Sequence, residues 1–119
     1  MQANRREIGK QYEEMAIALL EEQGYLILEK NYRNRYGEID IIAKQQETYV
    51  FVEVKYRASA RYGDALEAVD YRKQQRICRS ALYYCAKKAG DLEIPCRFDV
   101  IAINGEQITH IENAFEAYG

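Results

Sequence analysis

The chain has 119 residues, of which 48% are apolar and one is proline, a balance that excludes a disordered tail and can bury a core holding roughly two-thirds of the unfolded surface. Its net charge of −2 excludes a uniformly basic nucleic-acid binder, but the charge is uneven: Lys30 to Arg79 holds 11 basic and 7 acidic residues, leaving −6 on the flanks. There is no apolar run near the length of a membrane span and no signal-like apolar segment after Met1, so the expectation is a cytoplasmic protein of one domain, 1–119, with no membrane partner.

In chain order, Asn4 and Glu7 form a capping-box signature. Ile8, Tyr12, Met15, Ala16, Leu19 and Leu20 then make a helical stripe that ends at Gly24. Tyr25–Arg33, Glu38–Lys44 and Thr48–Tyr56 read as three strands joined by short polar connections, an antiparallel meander. Asp64 with Glu67 can cap a short turn. A helix follows from about Asp70 to Lys88, with Ile77, Ala81, Tyr84 and Cys85 inward and Gly90 past its end. Arg97–Asn104 is a fourth strand and Gln107–Ile111 a fifth. The order α-β-β-β-α-β-β, with the second helix as a right-handed crossover, predicts an α/β fold: a mixed β-sheet flanked by helices.

Cys78, Cys85 and Cys96 contain no CxxC pair and have only His110 as an imidazole partner, so they are read as buried, reduced thiols and not as a zinc site. Gly37 and Gly63 are isolated turn residues, and no nucleotide-binding glycine loop is present.

The chemistry concentrates in GEIDIIAKQQETYVFVEVKYR, residues 37–57. Whether the connection has two residues or four, the hairpin pairing sums to 93. That places Asp40 opposite Glu53 on one face and Glu38 opposite Lys55. Two carboxylates with Cβ atoms about 5 Å apart repel unless a cation lies between them. A solvated sheet face would tolerate them; a divalent cation, Mg²⁺ or Mn²⁺, would resolve the conflict, because it takes one or two carboxylates with waters and phosphate oxygens. Lys55, two residues from Glu53 on the same face, could then orient or help deprotonate a metal-bound water.

Basic groupings at 30–35, 55–61 and 72–79, two of them interleaved with tyrosine, suit phosphate and base contacts, with an ordinary solvated surface as the alternative. Arg57 belongs to the second grouping. Arg72, Arg76 and Arg79 share a helix face, and Lys73 points nearer the sheet. Asp99, beside Arg97, reads as structural. His110 has no evident general-base partner and is given no role.

Gly9 to Glu13 in the first helix, then GEIDIIA and FVEVKYR, resemble the PD-(D/E)XK nuclease superfamily, with similarity to archaeal Holliday-junction resolvases and, more closely, to the YraN-like family of bacterial proteins. The latter similarity extends through GYLIL, NYR, EAVDYRK, RFDVIAI and HIENAF, almost the whole chain. It implies a restriction-endonuclease-like fold with Glu13, Asp40, Glu53 and Lys55 as the active set. Asp40 and Glu53 would be direct ligands, with the Val54 carbonyl as a third and Glu13 acting through water. Ile39 occupies the position of the superfamily's proline. The implied activity is endonucleolytic hydrolysis of DNA, including branched DNA, leaving 5′-phosphate and 3′-hydroxyl ends, in an arrangement that works as a homodimer. The alternative is a nucleic-acid-binding or assembly module that keeps the fold without turnover.

Overall fold

A computed structural model describes residues 5–56, 69–90, 94–105 and 107–116. Helix α1 spans Arg5–Glu22, followed by β1 (Leu26–Asn34), β2 (Gly37–Gln45) and β3 (Thr48–Tyr56). Helix α2 spans Tyr71–Tyr84, and β4 (Cys96–Asn104) and β5 (Gln107–Phe115) complete the chain. This is the expected order. The Asn4 cap, the Asp64–Glu67 turn and Arg57 lie outside the described residues.

The five strands form one sheet in sequence order. β1, β2 and β3 pair antiparallel, β3 and β4 pair parallel, and β5 returns antiparallel to β4. The parallel pair is possible because α2 carries the chain from the end of β3 back to the start of β4. Asp70 caps α2, accepting the Lys73 amide at 2.9 Å. The helical path runs as far as its sequence pattern: α-geometry to Tyr84 continues into a π-helical turn, Cys85–Ala89, closed by left-handed Gly90 (φ 73°).

Each face of the sheet has its own core. Ala16, Ile17 and Leu20 of α1 pack on Ile41, Ala43, Val50, Val52, Ile101 and Ile103. On the other face Ile77, Cys78, Ala81, Tyr84 and Cys85 pack on Ile42, Phe51, Phe98, Val100 and Ala102. Strands covered on both faces need apolar residues at consecutive positions, which is why IDIIA and VFV are nearly continuous. Two of the three cysteines are buried, but Cys96 is exposed, because it opens β4 just after Pro95, where the sheet ends.

On the α1 face a polar network interrupts the core. Asp99, fully buried, accepts Arg97 Nε and Nη2, both at 2.9 Å, lies 2.8 Å from His110 Nε2, and accepts the Asn113 amide at 3.0 Å. Arg97 also donates to Gln45 and to the Tyr25 hydroxyl. Burial pushes the Asp99 carboxyl up, but hydrogen bonds from His110, Arg97 and the Asn113 amide outweigh it and hold the group below its usual range. Removing the carboxylate strands a guanidinium that is mostly buried. Asp99→Ala is expected to lose at least about 2 kcal/mol in urea denaturation, and Arg97→Met with Asp99→Leu to recover much of it. An unchanged midpoint in Asp99→Ala would show that the network does not hold the sheet.

Candidate metal centre at the β2–β3 cleft

The hairpin register is the one that sums to 93: Gln45 pairs with Thr48, Ala43 with Val50 and Ile41 with Val52. The connection is the two-residue turn Gln46–Glu47, with Gln46 left-handed at φ 54°. In such a hairpin the Gln45–Thr48 pair exchanges main-chain hydrogen bonds, and so does every second pair after it. Continued regularly, the ladder would bring the Val54 amide to Ile39. Instead it stops at Ile41–Val52, and Val54 N–H donates to Asp40 Oδ2 at 2.8 Å. Strict alternation would place Ile39 with Ile41 on the α1 face. Ile39 packs in the α2-side core, so the strand rolls over at Asp40.

The result is a cleft of about 220 Å³ at the end of the β2–β3 pair, lined by Gly37, Glu38, Asp40, Glu53, Lys73, Arg76 and Ile77. Gly37 has φ 152°, and its α-carbon comes close enough to α2 that an added Cβ would lie 3.5 Å from Ser80 Oγ. Glu53 is only 5% exposed. Its Oε1 lies 2.8 Å from Lys73 Nζ and 3.4 Å from Lys55 Nζ.

The charges separate according to these contacts. Burial, then the neighbouring Glu53 charge, push the Asp40 carboxyl up to about 7 against the pull of the Val54 amide. Burial lowers Lys55, and hydrogen bonding to Lys73 lowers it further, with Glu53 opposing. For Lys73 burial acts downward too, but its hydrogen bond to Glu53 and the acidic charges nearby win, and its pKa rises. The nearer lysine therefore keeps the proton. Lys55 is left as the more readily deprotonated amine.

Glu13 approaches from the other layer. It lines an adjoining hollow with Gly9, Lys10, Asn31, Arg33 and Glu38, and Glu38 is a wall of both spaces. Burial raises its pKa, the charges of Glu38 and Glu53 add to the rise, and a hydrogen bond with left-handed Asn31 (φ 51°) opposes it. The structure therefore brings Asp40, Glu53, Lys55 and Lys73 together and sets Glu13 beside them. Arg76 lines the cleft, Arg79 a separate hollow, and Arg72 is exposed one turn before Arg76.

The profile of the uncharacterised protein family UPF0102 matches residues 12–103. The chain belongs to this family. UPF0102 is YraN-like, as the sequence resemblance indicates. A UPF0102 protein of Thermodesulfovibrio yellowstonii is 52% identical over 113 residues, covering 93% of this chain and 97% of the relative. A relative from Lachnoclostridium phytofermentans is 47% identical over 116 residues, 98% of each chain, and one from Syntrophus aciditrophicus is 52% identical over 116 residues, 93% of this chain and 91% of its own. No helix among the described residues of this UPF0102 protein is long and apolar enough to cross a membrane.

Two relationships in this UPF0102 chain escape sequence reasoning. His110 has a partner after all, Asp99, eleven residues away on the neighbouring strand. The Lys73–Glu53 pair joins a helix to a strand across twenty residues; the helical pattern turns Lys73 toward the sheet but does not name its partner.

The raised Asp40 pKa has a consequence for stability. The folded carboxyl binds its proton more tightly than the unfolded one, whose pKa is near 4. Its stabilising share is whole below about pH 4 and is lost as pH rises through about 7. Asp40→Asn keeps an acceptor for the Val54 amide but cannot ionise. In metal-free buffer it is expected to exceed wild type by at least about 1 kcal/mol at pH 8, with a smaller difference at pH 5. Urea denaturation at both pH values checks this, and equal differences at the two would refute the electrostatic conflict.

Proposed function

We propose that this protein is a metal-dependent endonuclease that hydrolyses phosphodiester bonds in DNA. The observation that carries the reading is the pair of sequestered carboxylates in one cleft, Asp40 and Glu53, where burial and then the Glu53 charge raise the Asp40 pKa. Their oxygens, with the Val54 carbonyl, are hard donors that suit Mg²⁺ or Mn²⁺, and Glu13 would act through water. Among the described residues no three His, Cys, Asp or Glu side chains stand together to hold a metal ion, so the direct side-chain ligands would be Asp40 and Glu53 alone. An open site of this kind leaves positions for water and substrate phosphate, the mode typical of Mg²⁺.

Bound there, the metal would acidify water and neutralise charge on the scissile phosphate. Lys55, held below the ordinary lysine range, is suited to accept a proton from the attacking water. Lys73 keeps its charge and would face a phosphate oxygen, and Arg76 offers a second cation from the cleft wall. Arg57, Arg72 and Arg79 would hold flanking phosphates. Cutting two strands of a symmetric branch would require a homodimer.

A second reading, a nucleic-acid-binding or assembly module without turnover, is favoured by one observation: Glu53 already shares its Oε1 between two lysines. Displacing Lys73 toward substrate would free the ligand in an enzyme. In a module the pair would simply persist.

Calorimetry with Mn²⁺ and a cleavage panel of branched, nicked, flapped and single-stranded DNAs separate the two. The wild type is expected to bind Mn²⁺ and Asp40→Asn to lose that binding with the fold intact; undiminished affinity in the variant would sink the metal site. Lys55→Ala is expected to keep DNA affinity within a few-fold while cleavage falls by about two orders of magnitude or more. Pure wild-type protein that cuts nothing with either metal would decide for the module.

A further inference from the structure

Beside the carboxylate cleft lies a second hollow of about 380 Å³, lined by Tyr36, Arg79, Leu82 and Tyr83. The Tyr36 and Tyr83 rings are 5.9 Å apart and inclined at 58°, forming an angled aromatic wall. Cations surround it. The Arg35 guanidinium lies 5.0 Å from the Tyr36 ring centre and donates to its hydroxyl at 2.9 Å. Lys87 Nζ lies 5.9 Å from the Tyr83 ring centre. Leu82 is 42% exposed beside them, and among the described residues no acidic side chain lines the space.

The two hollows are neighbours by construction. Tyr36 precedes Gly37 in the chain, and Arg79 follows Arg76 by about one helical turn, roughly 5 Å along α2. A strand whose phosphate entered the acidic cleft would thus carry an adjoining nucleotide over the tyrosines.

We propose that the Tyr36–Tyr83 hollow is a nucleobase-stacking site that takes one unpaired base of a DNA strand crossing the carboxylate cleft. The substrate is then flapped, branched or single-stranded DNA, and continuous duplex is excluded. This inference rests on the hydrolytic reading for the strand's path, but the stacking itself needs no metal. In a duplex both faces of a base are covered by its neighbours, so an aromatic wall can receive only a base that has left the stack. The surrounding Arg35, Arg79 and Lys87 supply the charge that draws in the flanking phosphates. An apolar side chain of a protein partner would fill the hollow but gain nothing from this ring of cations.

The test uses DNA carrying 2-aminopurine in a short flap, and the same strand fully paired, both in buffer with chelator. Wild-type protein is expected to bind the flap at least about ten-fold more tightly than the duplex and to quench the 2-aminopurine. The double variant Tyr36→Ala with Tyr83→Ala should lose that preference and the quenching while duplex affinity stays within about two-fold. Tyr36→Phe with Tyr83→Phe should keep both, and Tyr36→Leu with Tyr83→Leu, which retains apolar volume and guards against misfolding, should lose both. Equal affinity for flap and duplex in wild type, or a preference that the leucine variant retains, would overturn the proposal; the latter would mark a generic apolar contact of the kind a protein partner makes. Ring-dependent flap binding by a protein that cleaves nothing would keep this inference and end the hydrolytic one. Cleavage of flap and duplex alike would do the reverse.

Discussion

The cleft depends on one exchange of hydrogen-bond partners. At Val54 the antiparallel ladder hands its amide to the side chain of Asp40 instead of to the main chain of Ile39. Because a buried amide must be satisfied by something, this aspartate is what allows β2 to leave β3 at that level. The strands part, Ile39 turns into the α2-side core, and Glu53 is left facing space that α2 lines with Lys73, Arg76 and Ile77.

Asp99 makes the same exchange. The β4–β5 register slips between Phe98 and Val100, and in the slack Asn113, left-handed at φ 53°, gives its amide to the Asp99 carboxylate. What differs is the company each group keeps. Asp99 has Arg97 and His110 against it and is held in its ionised form; Asp40 has Glu53 and Glu13 nearby and is pushed the other way. One device thus gives an anchor on one face of the sheet and a perturbed carboxyl on the other, and a carboxyl so perturbed in a cleft marks a candidate functional site.

Much of this was legible in the sequence because it rests on alternation and short connections. A two-residue turn between alternating runs fixes the hairpin register as far as Ile41–Val52, and the parallel β3–β4 pair follows from the length of the crossover; beyond Ile41 the expected Asp40–Glu53 and Glu38–Lys55 pairs do not form, because β2 leaves β3 there and Glu38 pairs with Arg33 of β1. The rest depends on geometry that no local pattern encodes. The roll of β2 at Asp40 breaks the very alternation used to read it. The change from α- to π-geometry after Tyr84 leaves no mark in the helical pattern, which continues to Lys88. Glu13 enters only through the family resemblance, and its contact with Asn31 involves a left-handed residue within a strand.

The irregularities also affect how copies of this chain can meet. The outer strands of the sheet, β1 and β5, each carry a break: β1 has a register shift between Ile27 and Glu29 with left-handed Asn31 beyond it, and β5 has its slack around Asn113. A neighbouring molecule extending the sheet would need an unbroken row of outward amides and carbonyls, and neither rim offers one. Both edge strands thus carry the kind of irregularity that discourages fibre-like growth from strand to strand.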